Sequence, residues 1–319
     1  MVAYIFPGQG AQYVGMGREL YETSPEAKSI FDKGEEILPE VGIKRLCFEG
    51  PIEELTSTSN SQVTILVASI ACLEALRSKV RHEDILSCLG LSLGELTSLV
   101  AVESISFEDA VRLVRKRGEL MEEASNKNPG TMASIIGLSL DKLKEVCRST
   151  GAQIANLNCP GQVVISGKKE FVEDAMKRST ESGAKKAIPL NVSGPFHSSL
   201  MKEAGELFRK ELEKVEFKVP KIKIVSNVTG DFESTPEEIK DNLVKQLYSS
   251  VLWEDSIKKV VSLGVKDFFE IGPGKVLKGL LRRIDKDLNV INIEKSKDID
   301  TVISNQITDH GSRITDHEL

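Results

Sequence analysis

The chain has 319 residues, 40% of them hydrophobic and 28% charged, with a net charge of −6. That length can bury a large core and suits one big domain with a smaller companion. The acidic balance argues against whole-molecule attraction to nucleic acid or an anionic membrane.

Apolar runs alternate with helical patterns, which predicts an α/β protein with mainly parallel strands. Val2–Phe6 reads as a buried strand ending in the loop Pro7-Gly8-Gln9-Gly10, followed by a helix from Ala11 to Tyr21. The Met1–Phe6 segment has neither the basic n-region nor the apolar h-region of a signal peptide. Val63–Ser78 has a helical pattern; its apolar stretch, Val63 to Leu73, is too short to cross a bilayer and is closed by Glu74. A strand follows at Ile85–Leu89. Ala110, Leu113, Val114, Gly118 and Met121 recur at helical steps and predict a helix over Phe107–Ala124.

Asn126-Lys127-Asn128-Pro129-Gly130 is a loop signal. After it come a strand (Thr131–Ile136), a helix (Leu140–Ser149), a strand (Gln153–Leu157), the turn Cys159-Pro160-Gly161, a strand (Gln162–Ser166), a helix (Lys169–Ser182) and a strand (Lys185–Leu190). The order βαββαβ is the ferredoxin-like motif and predicts a small inserted domain. His197–Val215 reads as helix and Ile222–Ser226 as strand. A helix leads into Leu247, another covers Ser256–Leu263, and Asp267–Ile271 is a strand ending in Gly272-Pro273-Gly274. A helix at Val276–Ile284 and a strand at Leu288–Ile293 complete the pattern. The expected division is a discontinuous α/β domain (1–127 and 197–295), a ferredoxin-like domain (128–196) and a polar tail (296–319). That tail repeats Ile-Thr-Asp-His at 307–310 and 314–317.

Gly90-Leu91-Ser92-Leu93-Gly94 lies between a strand and a helical stretch, the context in which G-x-S-x-G forms a nucleophile elbow. A serine hydroxyl needs a base, most often histidine. Of the four histidines, His310 and His317 lie in the tail and His82 sits in the charged run Arg81-His82-Glu83-Asp84. His197 remains as candidate base, although a histidine bonded to backbone at a helix start fits the same position. Arg117 can match a carboxylate with two parallel hydrogen bonds; beside Arg115 and Lys116 it reads more readily as an ordinary surface arginine. Cys47, Cys72, Cys88, Cys147 and Cys159 lack metal-type spacing and read as reduced, buried thiols of a cytoplasmic protein. No dinucleotide fingerprint or phosphate-binding loop occurs, so neither a metal nor a nucleotide cofactor is expected.

The combination of Phe6-Pro7-Gly8-Gln9-Gly10-Ala11-Gln12, Gly90-Leu91-Ser92-Leu93-Gly94-Glu95, Arg117-Gly118, the run from Asn158-Cys159-Pro160-Gly161-Gln162 to Gly167, Gly194-Pro195-Phe196-His197-Ser198, Gln246-Leu247 with Trp253, and Gly272-Pro273-Gly274-Lys275-Val276-Leu277 resembles the malonyl-CoA:acyl carrier protein transacylases. The resemblance implies a hydrolase-like core with a ferredoxin-like insertion. It implies that Ser92 attacks malonyl-CoA, that His197 is general base and then general acid, and that the Gln246 carbonyl orients His197. It also implies that Arg117 pairs with the malonyl carboxylate and that the Gln9 and Leu93 amides form the oxyanion hole. Phe196 would crowd an α-methyl group, although a core aromatic explains it as well; Met121, Asn158 and Gln162 would also contact substrate. CoA would be the product and acyl carrier protein the acceptor, docking on a basic patch such as Arg115-Lys116, Lys185-Lys186, or Lys275, Lys278, Arg282 and Arg283. The chain departs from many relatives at Leu91, where they carry histidine, and at Cys159, where serine is commoner. The alternatives are a serine thioesterase or esterase on the same elbow, an acyltransferase serving a polyketide pathway, and an inert protein keeping the fold.

Overall fold

The computed structural model describes residues 1–80 and 84–304, so His82, His310 and His317 lie outside the described residues, as does the tail beyond 304. The large sheet has six strands: β1 (Val2–Phe6), β2 (Ile85–Gly90), β7 (Lys223–Val225), β8 (Phe232–Glu233), β9 (Asp267–Ile271) and β10 (Asn289–Ile293). Their order is β10-β9-β1-β2-β7-β8; every pair is parallel except β7 with β8. Strands covered on both faces read as continuous apolar runs, and Ala3, Tyr4, Ile5 and Phe6 in β1 are all buried.

The four remaining strands, β3 (Thr131–Ile136), β4 (Gln153–Cys159), β5 (Gln162–Gly167) and β6 (Lys186–Pro189), form a separate antiparallel sheet in the order β4-β5-β3-β6. With helices Leu140–Thr150 and Lys169–Glu181 between its strands, this is the expected ferredoxin-like arrangement on an α/β core. It packs its own apolar cluster, centred on Ala133, Ile135, Leu143, Ile165, Val172 and Ala175. The small sheet is tied to the segment before helix Trp253–Val261, where Leu157 N–H donates to Val251 O (2.9 Å) and Val251 N–H donates to Ala155 O (2.8 Å).

Helix Thr58–Arg77 is long and apolar enough to span a bilayer by length and composition, but 89% of its most apolar window is buried in the protein. It is apolar all round because it is enclosed all round. Helix Phe107–Lys127, capped by Ser106 Oγ accepting from Asp109 N–H (3.0 Å), packs along it. A Cβ on Gly118 would lie 2.5 Å from Ser59 Cα, so glycine is what lets the two backbones touch.

Three segments differ from the sequence expectation. The helix expected from Ala11 to Tyr21 begins only at Arg18, because Gly10, Gly15 and Gly17 all have positive φ and keep 10–17 in turns. The helix expected from His197 begins at Lys202, after a short 3-10 turn; His197 has φ +56° and Ser198 is extended, both non-helical. Residues 296–304, expected to be polar tail, are helical, with Ile299 and Val302 buried against the core. Helices Pro25–Ile37, Ile43–Glu49 and Ile52–Thr56 carried no clear sequence signal.

Candidate active site

Phe6 pairs with Gly90, so β1 and β2 end level and their following loops lie side by side. The contact leaves no room for side chains: a Cβ on Gly8 would sit 2.4 Å from Leu91 O, and one on Gly94 would sit 2.2 Å from Phe6 O. Ser92 immediately precedes helix Leu93–Ala101 in the two-residue turn after β2, at φ +53° and ψ −104°. A non-glycine residue held there stores about 1–3 kcal/mol of strain, and the sharp turn projects its hydroxyl beyond the sheet. The site thus lies off the carboxyl ends of parallel strands, the usual ligand position in open α/β sheets.

Ser92 Oγ is 2.9 Å from His197 Nε2. His197 Nδ1 donates to the Gln246 carbonyl (2.7 Å), which leaves Nε2 as the acceptor of the neutral ring. Burial lowers the imidazole pKa to about 4, and the Arg117 charge adds to that depression. Arg117, 1% exposed, donates from Nη2 to Ser92 Oγ (3.1 Å) and to Gln246 Oε1 (2.9 Å), and from Nη1 to Gln62 Oε1 (2.5 Å). Its Nε is buried without a protein partner, and burial lowers its pKa to about 10. Among the described residues no protein oxygen accepts from the amides of Gln9 or Leu93.

Ser92, His197, Arg117 and Gln246, far apart in sequence, therefore share one cluster, in which Ser92 is half-buried and the other three are buried. Phe196 is buried next to His197, and Met121 accepts from Gln62 Nε2 through its sulfur (3.3 Å). Asn158 and Gln162 have no hydrogen bond to the cluster: Asn158 Oδ1 is buried without a protein partner, and Gln162 accepts from Arg283. Arg115 is a partly buried residue bonded to Glu119 and Asn60, whereas Lys185 and Lys186 are exposed. All five cysteines are buried and unpaired, Cys159 included. No cluster of metal-ligating side chains occurs among the described residues.

Sequence reasoning missed two members of the cluster. Gln62 lies in the second turn of the buried helix, and its signal is a group of small polar residues (Thr58, Ser59, Ser61) leading into an apolar run. Asn227 follows β7 at the carboxyl edge of the sheet; its Oδ1 accepts from Ser92 N–H (2.6 Å) and its Nδ2 donates to Gly90 O (2.8 Å). Beneath them lies Glu95, fully buried, with Oε2 accepting from Asn227 N–H (3.0 Å) and Gln246 Nε2 (2.7 Å). Burial, together with the nearby Glu233 carboxylate, pushes Glu95 well above the usual carboxylate range.

Residues 3–309 match the acyl transferase domain family. The malonyl CoA-acyl carrier protein transacylase of Bacillus subtilis (strain 168) is 46% identical over 307 residues, covering 95% of this chain and 96% of that protein. The crystal structure of acyl-carrier-protein-S-malonyltransferase from Bartonella henselae superposes with a TM-score of 0.92 at 36% identity, over 95% of this chain and 98% of that one. A malonyl-transacylase solved in complex with a type II PKS acyl-carrier protein gives a TM-score of 0.92 at 37% identity, over 95% of this chain and 99% of that one. The chain belongs to the acyl transferase family and, within it, to the malonyl CoA-acyl carrier protein transacylases.

Proposed function

We propose that this enzyme transfers the malonyl group of malonyl-CoA to the phosphopantetheine thiol of acyl carrier protein through a malonyl ester on Ser92, supplying fatty-acid synthesis. The carrying observation is the convergence of two groups on one oxygen: Ser92 Oγ lies 2.9 Å from His197 Nε2 and 3.1 Å from Arg117 Nη2.

In this reading His197 takes the Ser92 proton as Oγ attacks the thioester carbonyl. The oxyanion forms against the amides of Gln9 and Leu93, whose lack of a protein acceptor supports that role. Collapse of the tetrahedral adduct breaks the C–S bond, and His197 returns the proton to the departing CoA thiol. The carrier thiol then repeats the sequence in reverse, leaving Ser92 free. The Gln246 carbonyl holds the ring in the required tautomer, the task an aspartate performs in other triads. Arg117 receives the malonyl carboxylate. That negative charge also offsets the guanidinium that depresses His197, moving the base toward working pH when substrate is bound.

Phe196, Met121, Asn158 and Gln162 complete the proposed substrate contacts, with malonyl-CoA and CoA as the only small molecules required. A separate antiparallel sheet with an apolar cluster of its own supports the division into 1–127 with 197–295 and 128–196, while Met132, Ala155 and Val164 pack against the large domain's core. Five buried free thiols support a reducing, cytoplasmic setting. The related transacylase that binds a polyketide carrier leaves a second reading, in which only the acceptor differs.

The test is transfer from malonyl-CoA to holo carrier proteins of both kinds. Ser92→Ala should abolish transfer, and His197→Ala should lower it about 10²- to 10⁴-fold. Full activity in the Ser92 variant would refute the serine ester. Preference for the polyketide carrier would select the second reading.

A further inference from the structure

Glu95 does no chemistry in the reaction above: it has no hydrogen bond to Ser92 Oγ, His197 or Arg117. Yet a carboxyl group with no exposed surface is costly to bury and needs compensating contacts. One oxygen, Oε2, supplies them. It accepts from Asn227 N–H and from Gln246 Nε2, whose chain positions lie 132 and 151 residues away. Glu95 thus ties both segments to the helix that starts at the nucleophile.

A carboxamide has almost the same shape in its two orientations, with donor and acceptor exchanged. Gln246 Nε2 donates to Glu95 Oε2 (2.7 Å) and to Ser92 O (3.0 Å), so Oε1 is the end that accepts from Arg117 Nη2 (2.9 Å). The reverse orientation would set an NH2 group against the guanidinium and an oxygen against those of Glu95 and Ser92 and, at 3.5 Å, Asn227 Oδ1. Among the described residues Arg117 is held otherwise only by Gln62 and by Ser92 Oγ, the atom that must leave it to react.

We propose that Glu95 is a positioning residue for acyl-group selection: by fixing the Gln246 carboxamide in one orientation, it aims Oε1 at Arg117 and sets the guanidinium to receive a carboxylate-bearing acyl group. The proposal rests on the transferase reading. The shared feature of favoured substrates is an anionic carboxylate at the end of a short acyl chain.

The test compares Glu95→Gln and Glu95→Met, of similar size, of which only the first keeps an acceptor oxygen. Malonyl-CoA and acetyl-CoA are used as separate donors with the full-length enzyme. In Glu95→Met the ratio of malonyl to acetyl kcat/KM should fall about tenfold, mainly through a higher KM for malonyl-CoA, as expected when a buried amide loses its partner. Glu95→Gln should stay within about threefold of wild type. If the Met variant does not fold, Glu95→Asp, which withdraws the carboxylate by one methylene, should lower the ratio in the same direction. An unchanged ratio in Glu95→Met, or in Glu95→Asp where the Met variant does not fold, would overturn the proposal, as would a Gln variant as unselective as the Met variant. Wild-type enzyme that failed to transfer malonyl at all would instead bring down the transferase reading, and this role with it.

Discussion

Arg117 Nη2 lies 3.1 Å from Ser92 Oγ, although the first residue sits in the middle of a 21-residue helix and the second in the turn after β2. The contact places a buried positive charge on the nucleophile itself. Arg117→Ala should lower kcat/KM for malonyl-CoA by about a hundredfold or more, the scale of losing one partner of a buried charge pair. Acetyl-CoA should lose far less or gain, since it brings no carboxylate. Steady-state rates with both donors check this, and retained malonyl preference would remove Arg117 from the acyl site.

The same arginine should govern the acid limb of Ser92 reactivity. Burial and then the Arg117 charge hold His197 at about 4 in the free enzyme. A base stays active above its pKa, so labelling of Ser92 by a neutral sulfonyl fluoride should show no His197 titration from pH 8 down to about 5. Arg117→Ala removes the second cause, so the pKa rises and the rate should begin to fall at higher pH. An acid limb that stays in place or moves to lower pH would contradict this electrostatic coupling.

Gly118 controls how closely the Arg117 helix approaches the Gln62 helix. Gly118→Ala would bring a Cβ to 2.5 Å from Ser59 Cα, a backbone atom that cannot swing away. Overpacking of this kind costs about 1–3 kcal/mol. A lower Tm should accompany a higher KM for malonyl-CoA, because the helices that carry Arg117 and Gln62 are pushed apart. An unchanged KM in a destabilised protein would show that the separation does not reach the guanidinium.

Glu270, fully buried, accepts from Leu277 N–H and Lys278 N–H at the start of helix Val276–Ile284 (both 2.9 Å). Burial raises its pKa from 4.5 to about 7. Between those values the folded state holds a proton that the unfolded chain has released. This contribution is therefore fully present below about pH 4.5 and is lost as pH rises through 7, at most about 3 kcal/mol in all. Glu270→Gln should flatten this part of the stability profile, measured by urea unfolding from pH 5 to 8. An identical pH slope in the variant would exclude Glu270 as its source.

The parts of the molecule written in local pattern were readable in advance. The alternating strands and helices of 131–190 gave the small sheet its order of elements, and glycines flanking Ser92 marked the elbow. What was not readable depends on tertiary contact or on unusual backbone. The roles of Gln62 and Asn227 are set by their partners Arg117 and Ser92, which lie 55 and 135 residues away in the chain. The start of the helix after His197 was misplaced because a histidine at φ +56° has no sequence signature. The helix expected from Ala11 starts only at Arg18 because Gly15 and Gly17, at positive φ, break the helical backbone before it.

Intact-mass analysis after incubation with malonyl-CoA alone tests the central claim most directly. The expected result is one malonyl group per chain, mapped to Ser92, absent from Ser92→Ala, and discharged onto holo acyl carrier protein. Release of free malonate without an adduct, or an adduct that persists in Ser92→Ala, would contradict it.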